Sequence, residues 1–137
     1  MKTPLFPYEF FNIFIDSNNH HHLFLVKYQD KVIGGSLCVS YMNEILYEWF
    51  VCGLDGRYKN RYPSTLATWA AIEYAASNGF NYFDMMGAGK PDEGYGVRNF
   101  KAKFGGELVE HGRFIRVNKP ILYYIGKKAV SYLKKKK

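Results

Sequence analysis

Between Glu44 and Met86 two strand-like runs enclose one alanine-rich, helix-forming stretch, and no other feature of the chain restricts its fold so strongly. The first run is Glu44 to Cys52 (EILYEWFVC) and the second is Phe80 to Met86 (FNYFDMM), both dense in aromatic and apolar residues. Between them Pro63 suits the first turn of a helix, where its missing N–H costs nothing, and Asn78-Gly79 supplies a stop. Strand, helix and strand over this length form a βαβ crossover. Such a unit makes its two strands parallel and gives the connection a right-handed sense.

The flanking sequence completes a mixed sheet. Tyr8 to Asp16 reads as a short phenylalanine-rich helix. His22 to Tyr28 and Val32 to Tyr41 read as strands joined by the polar turn Gln29-Asp30-Lys31, and Asn43 turns the chain into the Glu44–Cys52 run. Gly34 and Gly35 inside the second strand imply a bulge or a close backbone approach. After the crossover, Gly87 to Gly96 is a glycine-rich loop carrying Asp92 and Glu93. Val97, Phe100 and Phe104 then recur at helical spacing and stop at Gly105-Gly106. Glu107 to Val117 alternates as one more strand, and Pro120 opens a final basic amphipathic helix, 120–137. The expected fold class is therefore α/β (α+β): antiparallel strands first, then a parallel βαβ pair, with helices on both faces.

Length and composition exclude several classes. A chain of 137 residues fits one domain, and 47% hydrophobic with 18% aromatic content is incompatible with disorder. No apolar run reaches the roughly 20 residues that span a bilayer. Pro4, Pro7 and Glu9 interrupt the amino terminus where an export signal would be apolar, so a cytoplasmic location is expected. Cys38 and Cys52 form neither a disulfide framework nor a zinc pattern. His20, His21 and His22 alternate in direction along a strand and cannot converge on one ion, so no metal site is expected. The net charge of +7 attracts phosphate-bearing partners.

Three segments carry a resemblance. Tyr62-Pro63-Ser64-Thr65-Leu66 with Trp69 and Ile72 is the first, and Gly79-Phe80-Asn81-Tyr82-Phe83-Asp84-Met85-Met86-Gly87 the second. The third, Gly96-Val97-Arg98-Asn99-Phe100-Lys101-Ala102-Lys103-Phe104-Gly105-Gly106, is similar to a "G-x-x-x-F-K-x-x-F-G" signature. Together they resemble the GNAT acyltransferase superfamily and, within it, the FemAB-like aminoacyltransferases, over about residues 23–117. The resemblance implies a GNAT-type sheet and amide-forming acyl transfer. It also implies that a single GNAT-like domain, 1–137, corresponds to half of a two-domain arrangement, with a homodimer or a second half as partner. GNAT enzymes commonly cradle the pyrophosphate of coenzyme A on a glycine-rich loop at the crossover helix. Here that stretch is Arg57-Tyr58-Lys59-Asn60-Arg61-Tyr62-Pro63-Ser64, without glycines and with a proline that has no N–H. FemAB-like proteins share this departure and use aminoacyl-tRNA as donor.

Candidate site residues follow from both sources. Lys101 lies roughly 65° from the centre of the Val97–Phe100–Phe104 arc. A lysine there either snorkels to the rim or stands in a pocket against developing negative charge, and the resemblance favours the second. Glu48 shares a strand face with Leu46, Phe50 and Cys52, which makes it a general base of raised pKa or else an edge glutamate facing water. Asp84 either handles a proton or caps the turn at Gly87. Arg57, Arg61, Tyr62 and Ser64 at the helix start are candidates for holding a phosphate-bearing donor, as are Arg98, Phe100 and Lys103 on the signature helix, with Tyr95 a candidate proton donor. Glu73 falls inside an arc of Leu66, Trp69 and Ala76 and needs a cation or the sheet's edge.

The expected activity is transfer of an aminoacyl or acyl group to an amine of a cell-wall or surface-glycan precursor. A coenzyme A-dependent N-acetyltransferase, with acetyl-CoA as donor, and a non-catalytic binding half-domain are the alternatives. The final helix either packs on its own domain or lies on an anionic membrane at the inner face, near a lipid-linked precursor.

Overall fold

The computed structural model describes residues 6–16, 20–89, 94–112 and 114–135. The chain forms two compact units, residues 1–105 and 106–137. In the first, helix α1 (Tyr8–Asp16) precedes strands β1 (His21–Tyr28), β2 (Lys31–Tyr41) and β3 (Ile45–Gly53). Helix α2 (Pro63–Ser77) then crosses to β4 (Tyr82–Asp84), and α3 (Gly96–Ala102) follows. The sheet order is β1-β2-β3-β4, antiparallel over the first three strands and parallel between β3 and β4. This is the mixed sheet that the sequence implies.

Two bulges shape it. Ile33 is the extra residue of β2 opposite Val26 and Lys27, and Trp49 is the extra residue of β3 opposite Leu37 and Cys38. The second has consequences for the site. Directly paired residues share a face, so Glu48, beside Cys38, and Phe50, beside Leu37, point to opposite sides of the sheet. Simple alternation from Leu46 through Cys52 fails at Trp49 for that reason. On one face Cys38 and Leu46 pack against Ala71 and Ala75 of α2, flanked by Phe24, Tyr74, Phe80 and Phe83. On the other, Phe50 meets Phe6, Phe10 and Phe11 edge-on at centroid distances of 5.4 to 6.4 Å. Helices thus cover both faces.

The buried side of α2 is Pro63, Ala67, Thr68, Ala71 and Ala75, whereas Leu66, Trp69 and Glu73 face solvent. The large apolar residues misplace the arc because small residues are what let a helix lie close on a sheet. Glu73 accordingly incurs no burial cost. Gly34 fits the same logic: a Cβ there would come within 2.9 Å of the Pro63 Cβ, so glycine permits the helix start to approach β2.

β4 is shorter than the expected Phe80–Met86 run. The Asp84 carboxylate accepts the Met86 backbone N–H at 2.6 Å, and Met86 turns to φ +61°, which ends the ladder at Asp84. The expected strand over residues 107–117 is absent from the described residues of that segment, 107–112 and 114–117. Gly106 (φ +90°) and Gly112 (φ +71°) break the extended run on either side of Leu108 and Val109. Among the described residues of the second unit the one regular element is α4 (Pro120–Lys135). Asp92 and Glu93 lie outside the described residues.

Candidate active site

The parallel pair is brief. Ile45, Leu46 and Tyr47 align with Tyr82, Phe83 and Asp84, and beyond that point β3 continues from Glu48 to Gly53, still paired with β2 but with no described strand on its β4 side. The site lies where the pairing stops. Glu48 is the first residue past it, Asp84 is the last residue of β4, and α3 brings Lys101 within electrostatic reach of both.

Glu48 is 4% exposed. Its Oε1 accepts two hydroxyl donors, Ser36 of β2 at 3.0 Å and Thr68 of α2 at 2.8 Å. Burial pushes its pKa up, and the Thr68 and Ser36 bonds and the nearby Lys101 charge only partly offset this. Ser36 also lies 3.4 Å from the Cys38 sulfur. The single Ser36 proton is committed to Glu48, so the thiol is the donor in that contact. Burial keeps the thiol protonated, with its pKa pushed up to about 12, and Cys38 is not a nucleophile.

Lys101 is half-buried. Its ammonium donates to the Met85 carbonyl and, at 3.0 Å, to the Gly87 carbonyl. Burial lowers its pKa, while Glu48 and Asp84 raise it, so both carboxylates are within electrostatic reach of the amine. On the same helix the Arg98 Nε donates to the Ala88 carbonyl at 3.1 Å. Through these three bonds α3 grips the segment 85–88 that leaves β4. Tyr95, at the start of α3, covers Gly89 so closely that a Cβ there would lie 2.6 Å from its ring. Phe100 packs edge-on against Phe104 at 5.2 Å, and Lys103 faces solvent.

A second constellation precedes α2. Tyr28, Gly56, Arg57, Tyr58, Lys59, Asn60 and Arg61 line an open cavity of about 490 Å³. Arg61 stacks 4.5 Å from the Tyr28 ring centroid and donates to the Tyr28 hydroxyl at 3.0 Å. Arg57 stands 5.9 Å from the Tyr58 ring. Tyr62 adopts a left-handed conformation (φ 48°) as the α2 cap, with its side chain exposed. Ser64 turns instead to Asp55. Its backbone N–H donates to Asp55 Oδ1 at 3.2 Å and its hydroxyl to Oδ2. The positive end of α2 therefore already holds a carboxylate.

The structure thus brings Glu48, Asp84 and Lys101 to one place and keeps Arg57 and Arg61 together at another. Sequence reasoning missed Ser36, Thr68, Asp55 and Tyr28. Ser36 had a signal, since it sits two residues from Cys38 on the same strand face. Among the described residues no cluster of His, Cys, Asp and Glu could hold a metal ion.

A family model matches residues 16–134. The chain belongs to the FemAB family. Solved structures give the fold of this FemAB-family chain a wider setting. The aminoglycoside acetyltransferase meta-AAC0020 from an uncultured soil metagenomic sample, solved with sisomicin, is similar at a TM-score of 0.58 and 17% identity. That match covers 85% of this chain and 80% of the other. The aminoglycoside N-acetyltransferase AAC(6')-Iy in complex with CoA is similar at 0.55 and 14%, over 79% and 83% of the two chains. At such identities the likeness concerns the fold, which is the GNAT acetyltransferase fold. No curated protein sequence matches significantly. FemAB-family membership makes the chain a transferase of the acyltransferase class.

Proposed function

We propose that this FemAB-family chain transfers an aminoacyl or acyl group to an amine of a cell-wall or surface-glycan precursor. The observation that carries the reading is a buried carboxylate, Glu48, within electrostatic reach of a half-buried ammonium, Lys101, that is tied to the segment leaving the parallel pair. In this reading the acceptor ammonium loses a proton to Glu48, whose raised pKa suits it to that task at neutral pH. The freed amine attacks the acyl carbon, forming a C–N bond. Negative charge develops on the carbonyl oxygen, and Lys101 is the nearby cation to receive it, since two of its three protons already hold Met85 and Gly87 in place. Collapse breaks the bond from the acyl carbon to the donor's oxygen or sulfur, and the proton held by Glu48 passes to the leaving group. The attacking nitrogen gives its second proton to the freed Glu48, which releases it to solvent. Asp84, after Glu48, opposes the burial that lowers the Lys101 pKa. The Arg57–Arg61 cavity, with Tyr28 and Tyr58, is suited to a phosphate-bearing donor, for which aminoacyl-tRNA is the first candidate.

The second reading is a coenzyme A-dependent N-acetyltransferase, favoured by the CoA bound in AAC(6')-Iy. Asp55 at the start of α2 and the missing N–H of Pro63 weigh against it, because a pyrophosphate there would have to displace a carboxylate. The deciding experiment offers the protein aminoacyl-tRNA or acetyl-CoA as labelled donor with amine-bearing cell-wall precursors, and follows label in amide product. Label from aminoacyl-tRNA, lost in Glu48→Gln, supports the first reading. Transfer from acetyl-CoA alone selects the second, and transfer from neither rejects both.

A further inference from the structure

The chain's charge is not spread along its length. Residues 1–105 hold ten lysines and arginines against ten aspartates and glutamates, while residues 106–137 hold nine against two. The entire net charge of +7 therefore belongs to the second unit, and from His111 to the end there is no acidic residue.

Within that unit α4 sorts its residues by face. At 100° per residue, Ile121, Tyr132, Ile125, Ala129, Leu122 and Leu133 share one continuous arc with Val130 and Tyr123 at its edge. Lys127 and Lys128 stand on the opposite arc, and helical spacing puts positions 134 and 135, also lysines, on it as well. Ile121, Leu122, Ile125 and Leu133 are 58 to 77% exposed. We infer that α4 is an interfacial helix that docks the protein on an anionic lipid surface, its apolar arc in the acyl boundary and its lysines among the headgroups.

Charge complementarity selects this occupant. A helix that turns its polar face to water gains from opposite charges spaced four apart, and this one has only lysine. A second copy of α4 would cover the apolar arc but leave the lysines, on the outer side of the pair, with no anion. RNA would satisfy the lysines and leave the isoleucines and leucines unused. Anionic headgroups over acyl chains satisfy both arcs, and the tyrosines suit the boundary between them. With 16 residues α4 lies in the surface, since no helix among the described residues is long and apolar enough to cross a membrane. The inference does not depend on the acyl-transfer reading.

The test is co-sedimentation of the whole chain with vesicles of phosphatidylcholine alone, or of equal parts phosphatidylcholine and phosphatidylglycerol. Binding is expected to the second only, to weaken with added salt, and to fall roughly fivefold for each lysine removed in Lys127→Gln and Lys128→Gln. Ile125→Ser should lose vesicle binding without lowering the melting temperature. Equal behaviour on both vesicles, or binding indifferent to the lysines, overturns the inference. So does retention of a single-stranded RNA oligonucleotide in place of vesicles. An Ile125→Ser variant that melts earlier, from a chain that ignores vesicles, shows that the apolar arc is covered within the protein and overturns it too.

Discussion

Thr68 of α2 donates its hydroxyl to Glu48 of β3 across 2.8 Å, so the crossover helix itself holds the carboxylate at the centre of the site. That bond favours the ionised form and works against the burial that raises the Glu48 pKa. Thr68→Val keeps the shape of the side chain and removes the donor. The pKa of Glu48 then rises further, and the acidic limb of the kcat/KM profile should move to higher pH. The fold should lose about 1–3 kcal/mol for the partner left short in a buried setting. Thr68→Ser should leave both close to wild type. An unmoved limb in Thr68→Val would remove Glu48 from the base role.

Glu48→Gln separates activity from stability. Its amide oxygen still accepts the Ser36 and Thr68 hydroxyls, but it takes no proton, so kcat should fall about 10²–10⁴-fold. Stability should move the other way. Because burial raises the folded-state pKa, the folded chain binds more protons than the unfolded chain between the ordinary value of 4.5 and the higher folded value. Stability contributed by this group therefore falls as pH rises through that window. Melting curves of the two proteins should differ least below pH 4.5 and most at neutral pH, with the variant the more stable there. A constant gap at every pH would contradict the burial of the charge.

Lys101 has the opposite sign. Its folded pKa lies below the ordinary 10.5, so the folded chain binds fewer protons than the unfolded chain between those values, and stability rises with pH across that window. For catalysis, Lys101→Met should lower kcat about 10²–10³-fold with KM little changed, as expected for a charge needed only in the transition state. Should KM rise while kcat holds, Lys101 acts only as the tie that positions Met85 and Gly87.

Much of this was legible in the sequence, for identifiable reasons. Proline at the start of α2 and Asn78-Gly79 at its end fixed the crossover, and the hairpin turns fixed the antiparallel strands. Glu48, Asp84 and Lys101 were accessible because each is a charge set among apolar neighbours on a readable element. What escaped depended on geometry that spacing does not encode. The bulge at Trp49 turns Phe50 to the face opposite Glu48, and one inserted residue leaves no mark in an apolar run. The bound face of α2 is built from alanines and Thr68, whereas the eye follows Leu66 and Trp69. Residues 107–117 alternate as a strand would, but glycines in left-handed conformations at 106 and 112 interrupt the extension. Asp55 escaped because its partner, Ser64, lies nine residues away across a loop.

Asp55 yields the sharpest statement about the donor. It meets both the N–H and the hydroxyl of Ser64, and Gly53 makes room for that approach, since a Cβ there would lie 2.6 Å from the Ser64 nitrogen. A carboxylate so placed stabilises the helix end and occupies the position where oriented N–H groups would otherwise attract a phosphate. Asp55→Ala should cost about 0.5–2 kcal/mol in chemical denaturation, the usual loss for an N-terminal cap. Asp55→Ser removes the negative charge while keeping an oxygen acceptor, and should cost less. Titration calorimetry with acetyl-CoA supplies the second readout. The wild-type chain should give no saturable heat, and Asp55→Ser should gain measurable affinity as the repulsion between carboxylate and pyrophosphate disappears. Tight stoichiometric binding by the wild-type protein would mean that the pyrophosphate displaces Asp55, and the donor would then be coenzyme A-linked.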